Sequence, residues 1–189
     1  MRFDEVLTRS DGPAVAADIA ELRTPGRYVL EGVHQDADHR HWQFRLDVDE
    51  SQERWTLDRS DGPTMWFRDG VLHDTDGDRE DTFAHSTVAG AVVRMALPDQ
   101  LLWWGRGPES FSPVLVQHIG ERSVLVTFEH RADPAFRTTL VVDEHDGIAR
   151  RRFELGEFTH VFSARRADPD EVLPPAGFEP LTDWIRPAY

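Results

Sequence analysis

The sequence predicts a mainly antiparallel β fold of the α+β kind, with helical segments at the start and in the middle. Three observations predict it. First, apolar and polar residues alternate along short runs: Trp42, Phe44, Leu46 and Val48 share one parity, and His41, Gln43, Arg45 and Asp47 share the other. That pattern belongs to a strand buried on one face and wet on the other. Second, turn residues separate the runs, among them Asp69-Gly70 and Asp146-Gly147, which favour tight hairpins. Third, the period changes to a helical one only near the N-terminus and around residues 83–104. Strands joined in sequence by short turns are expected to pair as a meander.

The elements follow in order. Residues 13–22 place Val15, Ile19 and Leu22 on one helix face, with Asp11 as the expected cap and Pro13 in the first turn. Thr24-Pro25-Gly26 ends that helix. Strands are expected over 28–34, 41–48, 53–58, 64–68 and 71–73, with an acidic loop over 74–81. From 83 to 95 the residues Val88, Ala91, Val92 and Met95 fit a helical face, and 99–104 suits a second short helix. Residues 107–113 read as irregular. Strands resume over 114–119, 123–130, 136–142, 148–155 and 157–165. The tail from 167 to 189 is proline-rich and is expected to lie along the surface, anchored by Trp184 and Tyr189. One domain over 1–189 accommodates all of this: a helical segment (1–26), a strand block (27–82), a helical lid segment (83–105), a second strand block (106–166) and the tail (167–189).

Composition narrows the function classes. Hydrophobic residues make up 39% and charged residues 30%, the balance of an ordinary globular chain. A net charge of −14 argues against nucleic acid or an anionic lipid surface as a partner. All 21 basic residues are arginine, which excludes Schiff-base lysine chemistry and the P-loop. There is no cysteine, so thiol nucleophiles and thiolate zinc sites are excluded. No stretch approaches the ~18 apolar residues of a membrane span. No secretory signal is visible before the acids Asp4, Glu5, Asp11 and Asp18, so a cytoplasmic location is expected.

Three segments carry a resemblance. They are Trp66-Phe67-Arg68-Asp69-Gly70-Val71-Leu72, then Leu140-Val141-Val142-Asp143 with Asp146-Gly147-Ile148-Ala149-Arg150-Arg151, and residues 158–165 followed by the Pro-rich exit at 169–175. With the order of elements over 27–178, they make the chain resemble the periplasmic lipoprotein-carrier (LolA-like) superfamily. The sigma-E regulator and mycobacterial lipoprotein families are its relatives. The resemblance implies a curved, unclosed half-barrel with helices capping its concave face. It also implies a concave surface suited to an apolar small molecule, an acyl chain or a protein partner.

The cavity candidates are Trp42, Phe44, Trp55, Trp66, Leu101, Trp103, Trp104 and Phe128; the competing reading is that these residues are only core. Trp103 and Trp104 cannot share one helix face, which suits one of them to a pocket rim. Other signals are weaker. His39 and His41 lack a third metal ligand. Asp74, Asp76, Asp78 and Glu80 imitate a calcium loop, but Arg79 and His85 stand at its glycine and glutamate positions. Ser86 with His85, and Ser123 with His118, are neighbours without a G-x-S-x-G elbow. Glu129, His130 and His160 are candidates for an acid–base set. No metal and no cofactor are expected. Three functions stay open: non-enzymatic binding of a hydrophobic ligand or an apolar partner segment in the concavity; a small enzyme using histidine/carboxylate acid–base chemistry on a hydrophobic molecule; and a regulatory interaction module. A pocket lined by carbon alone favours the first, convergent His, Glu and Arg groups the second, and a solid interior the third.

Overall fold

The computed structural model describes residues 4–75, 77–79, 90–98 and 110–179. Among the described residues there are twelve strands: β1 (Glu5–Val6), β2 (Arg27–Gln35), β3 (His41–Asp49), β4 (Arg54–Arg59), β5 (Met65–Arg68), β6 (Val71–Asp74), β7 (Gly77–Arg79), β8 (Phe111–Ile119), β9 (Ser123–His130), β10 (Arg137–Asp143), β11 (Ala149–Glu154) and β12 (Glu157–Ala167). The described α-helices are α1 (Gly12–Leu22) and α2 (Ala91–Arg94).

All twelve strands join one antiparallel sheet in the order β1-β8-β9-β10-β11-β12-β2-β3-β4-β5-β6-β7. The edge strands β1 and β7 do not pair with each other, so the sheet is a curved, unclosed half-barrel. The topology corrects the expectation of a single meander. After β1 at one edge, the chain crosses to the middle of the sheet, walks outward from β2 to β7, restarts beside β1 at β8 and walks back to β12. The seam is the β12–β2 ladder, from Phe158↔Gln35 to Ala167↔Arg27. Two short strands were not anticipated. β1 pairs with β8, and β7 lies in the stretch read as an acidic loop. β8 also starts at Phe111, inside the stretch read as irregular, and a register shift between Pro113 and Leu115 accommodates the proline.

The forecast alternation holds along β3, β9 and β10. Phe44, Leu46, Val124, Val126, Phe128, Leu140 and Val142 are all buried on the concave side, and Val15 and Ile19 of α1 with Val92 and Val93 of α2 join them in one hydrophobic cluster. Each such side chain contributes roughly 1.5–3 kcal/mol. Asp69 (φ 54°) and Gly70 (φ 80°) form the left-handed pair of the β5–β6 hairpin, as a type I′ turn requires. Asp11 stands at the N-cap of α1, as expected, but its side chain makes no cap hydrogen bond to the helix. Its carboxylate turns back to accept from the Thr8 backbone N–H and hydroxyl, both at 2.7 Å. The helical lid expected over 83–105 is described only over 90–98, where α2 stands; the rest lies outside the described residues.

The tail segment over 168–179 crosses the convex face. Arg27 donates to Asp47 through Nε (2.9 Å) and Nη2 (2.8 Å), and its Nη1 reaches the carbonyls of Asp168 (3.0 Å), Pro169 (3.1 Å) and Glu171 (2.8 Å). Arg45 Nη1 donates to the Pro174 carbonyl at 2.6 Å, and Gln43 donates to that of Glu179. Trp184 and Tyr189, the expected anchors, lie outside the described residues. Among the described residues no helix is long and apolar enough to cross a membrane.

Candidate functional site

A cavity of about 320 Å³ opens between the concave side of β2–β5 and helix α2. Register places its walls. Leu57 lies between Leu46 and Met65, and Trp55 between Val48 and Phe67, so Trp55, Leu57 and Met65 all face inward. Trp42 pairs with His34 across β2 and β3, their rings 4.8 Å apart, and meets Phe44 edge-on at 6.0 Å. Ala91, Val92 and Val93 close the cavity from α2. The Arg59 guanidinium lies 4.2 Å from the Trp42 ring centroid, within cation–π range. Its Nε and Nη2 also donate to the two Asp61 oxygens at 3.0 and 3.1 Å.

The other end is polar. One row of cross-strand partners runs Val116, Val126, Leu140, Arg152, Thr159, His34 and Trp42. It begins apolar and turns polar at Arg152. His34 Nδ1 shares a hydrogen bond of 2.9 Å with the Thr159 hydroxyl. Burial pushes the His34 pKa below its ordinary value, with the Glu157 charge opposing, so the ring is neutral at pH 7. Glu157 also lines the cavity and accepts from Arg152 at 2.9 Å. Arg152 is buried and is bound to Glu154 as well. Burial and the Arg152 charge push the pKa of Arg94, on α2, down.

The predicted cavity residues separate. Trp42 and Trp55 line the cavity. Phe44 is buried beneath Trp42 and Phe128 is fully enclosed in the core, and neither is part of the cavity wall. Trp66 is on the opposite face, because its partners Thr56 and His73 both point outward. It stacks on His73 at 5.4 Å with planes 10° apart and borders a polar convex-side cleft of about 360 Å³ with Arg27, Asp47 and Glu171. Leu101, Trp103 and Trp104 lie outside the described residues. Sequence reading missed His34, Leu57, Arg59, Met65 and Glu157. Parity carried a signal for the first: His34 is in phase with Tyr28 and Leu30. Arg59 is likewise in phase with Trp55 and Leu57, whereas nothing in the sequence marks the side of Glu157.

The remaining candidates do not converge on the cavity. Glu129 pairs with Arg137 at 2.7 Å, His130 packs between Phe111 and Phe136, and His160 faces outward beside Phe158. His118 binds Glu144 at 2.8 Å rather than Ser123. Asp36 closes its own turn by accepting from the Asp38 and Arg40 backbone N–H groups, and His39 and His41 both bind Gln35. Among the described residues no group of three His, Asp or Glu side chains stands together as a metal ligand set. Ser86, His85, Asp76 and Glu80 lie outside the described residues.

No family model and no curated protein matches the chain. Solved structures do. The crystal structure of MucB aligns with 86% of this chain and 61% of its own, at 16% identity and a TM-score of 0.49. MucB in the complex of Pseudomonas aeruginosa MucA and MucB aligns over 85% and 59%, at 13% identity and a TM-score of 0.47. A LolA superfamily protein from Nitrosomonas europaea aligns over 86% and 94%, at 10% identity and a TM-score of 0.39. The chain spans about three-fifths of the matched MucB chain. The described strands form an unclosed half-barrel, with α1 and α2 packed against its buried face.

Proposed function

We propose that the chain binds a small amphiphilic molecule, without chemical change, in the concave cavity between β2–β5 and α2. The observation that carries the reading is the composition of that wall: Trp42, Trp55, Leu57, Met65, Val92 and Val93 supply an apolar lining, and His34, Arg59 and Glu157 supply a few polar groups. That mixture is what small-molecule sites present, and about 320 Å³ lies at the lower end of their usual volumes. The size suits one short acyl chain or a compact ring system. An apolar side chain of a partner segment is the protein-borne equivalent. Native mass spectrometry of purified protein tests the reading: a co-purified small molecule, displaced by a fluorescent apolar probe, is expected. Absence of both the adduct and probe binding would overturn it.

A second reading rests on the placing of a neutral His34 and of Glu157 in the same cavity. These are the elements of general acid–base catalysis. Both are engaged, His34 by Thr159 and Glu157 by Arg152, which makes them structural before they are reactive. Incubation of co-purified ligand with wild type and His34→Gln separates the two readings. Turnover that only the wild type performs would establish the enzyme.

A further inference from the structure

His34 is more than nine-tenths buried, lines the concave cavity, and shares one hydrogen bond, between Nδ1 and the Thr159 hydroxyl at 2.9 Å. That bond sets the tautomer of the ring. Thr159 is fully enclosed, and its hydroxyl meets no acceptor but Nδ1 among the described residues. A proton on Nδ1 would leave the hydroxyl proton buried and unpaired, the costlier arrangement. The hydroxyl therefore donates to Nδ1, and the neutral ring carries its proton on Nε2. Nε2 has no partner among the described residues and is not one of the enclosed polar atoms, so it keeps open surface. Nδ1 leans toward β12 and Trp42 covers the β3 side, which leaves the Nε2 edge facing the cavity. Glu157 supplies the complementary group at the same wall. It stands two residues before Thr159 on the same face of β12, diagonal to His34 across the β12–β2 ladder, within reach of a shared ligand atom. Its Oε2 takes Arg152 Nη1, its Oε1 has no partner among the described residues, and Arg152 is shared with Glu154. We infer that the molecule held in this cavity carries an uncharged hydroxyl, as an alcohol or a phenol does, that accepts from His34 Nε2–H and donates to Glu157. The inference rests on the cavity being a binding site and adds the chemical class of its occupant. A hydrocarbon leaves both groups unanswered, and an ether answers only His34. A carboxylate meets the Glu157 charge, while the Arg59 guanidinium is already held by Asp61. A hydroxyl is the smallest group that answers both.

The test is calorimetric titration at neutral pH with four probes of one ring system: 2-naphthol, 2-methoxynaphthalene, naphthalene and 2-naphthoate. Wild type is expected to bind the naphthol about five- to tenfold more tightly than the ether or the hydrocarbon, and the naphthoate most weakly. His34→Phe combined with Thr159→Val removes the donor and its partner together, so neither is left unpaired. That double variant is expected to weaken the naphthol by about the same factor and to leave naphthalene nearly unchanged. Glu157→Gln keeps the shape, removes the charge and is expected to bring the naphthoate closer to the naphthol. Wild type that fails to prefer the naphthol to any of the other three overturns the inference and leaves the binding reading standing. A double variant that weakens naphthol and naphthalene equally, or weakens neither, does the same. Wild type that binds none of the four overturns the inference; if it also carries no co-purified molecule, the binding reading falls with it. Should the double variant fail to fold, histidine ¹⁵N spectra of wild-type protein decide. His34 is expected as the Nε2–H tautomer, its ring N–H proton moving downfield with the naphthol and not with naphthalene. The Nδ1–H tautomer, or no such movement, overturns the inference.

Discussion

Gly32 on β2 and Phe44 on β3 are direct cross-strand partners, and the phenylalanine ring occupies the space a side chain at Gly32 would need. A Cβ at Gly32 would stand 2.5 Å from Phe44 Cζ and 2.3 Å from the His160 carbonyl oxygen. The second contact is with backbone of β12, which cannot turn aside. Gly32 therefore lets the seam between the two strand blocks close under an aromatic layer.

Gly32→Ala is expected to destabilise the fold by roughly 2–3 kcal/mol, the upper part of the range for overpacking. A glycine-to-alanine change without a clash would instead stabilise slightly through the unfolded chain. Urea unfolding checks the sign and the size. A second variant, Gly32→Ala with Phe44→Leu, is expected to recover only part of the loss, because the His160 carbonyl remains.

Arg27 is expected to hold the tail segment in place. Its Nη1 group reaches three tail carbonyls while Nε and Nη2 grip Asp47. Arg27→Ala is expected to cost about 3 kcal/mol, the low end for breaking a buried ion pair, since Asp47 keeps some solvent contact. Arg27→Lys keeps the charge and loses the fork. Both variants are expected to speed amide exchange over 168–179 without changing exchange in β9 and β10. Hydrogen-exchange mass spectrometry reads this directly, and uniform loss of protection would show that the tail is not what Arg27 secures.

Stability is expected to fall in two stages on acidification. His34 and His160 titrate below 6.5, both chiefly because burial disfavours the charged ring; Glu157 opposes this at His34, and Arg151 adds to it at His160. The folded state then binds fewer protons than the unfolded state as pH drops below 6.5, so stability is lost through that window. Asp49 and Asp143 behave as acids held low. Burial raises each, but the hydrogen bond from Ser51 and the Arg54 charge at Asp49, and Arg122 with the His145 backbone N–H at Asp143, outweigh it. Their contribution is present above 3.8 and lost as pH falls through the depressed values. Melting temperatures across this range are expected to show both declines, and His34→Gln to flatten the first.

The strands were legible because parity is a one-residue signal. Leu46 and Val126 declare their side of the sheet through the alternation of their immediate strand neighbours. The seam was not legible, since nothing in residues 158–167 says that their partner lies at 27–35 rather than beside them in sequence. The cavity was half legible for a related reason. Trp42 and Trp55 stand out as large apolar residues in phase with their strands. Trp66 looks the same by type, and it is the pairing Thr56↔Trp66 that turns it outward. Arg59 looks like a surface charge by type, though its parity with Trp55 and Leu57 turns it inward, and only the fold brings Glu157 to the cavity.

That difference between two tryptophans yields the last prediction. Trp42 is buried, stacks under Arg59 and walls the concave cavity; Trp66 is half-buried, covers His73 and faces the convex side. Trp42→Ala is expected to cost about 3–5 kcal/mol, as for a core aromatic truncated to alanine, and to abolish binding of an apolar probe. Trp66→Ala is expected to cost less, because part of its ring is already in water, and to leave probe binding at the wild-type level. Trp42→Phe keeps much of the wall and is expected to bind with intermediate strength, which separates a loss of binding from a loss of folding. Probe titrations run beside urea melts make the comparison. Loss of binding in Trp66→Ala with Trp42→Phe unaffected would move the site to the convex cleft and leave the concave cavity as a packing defect.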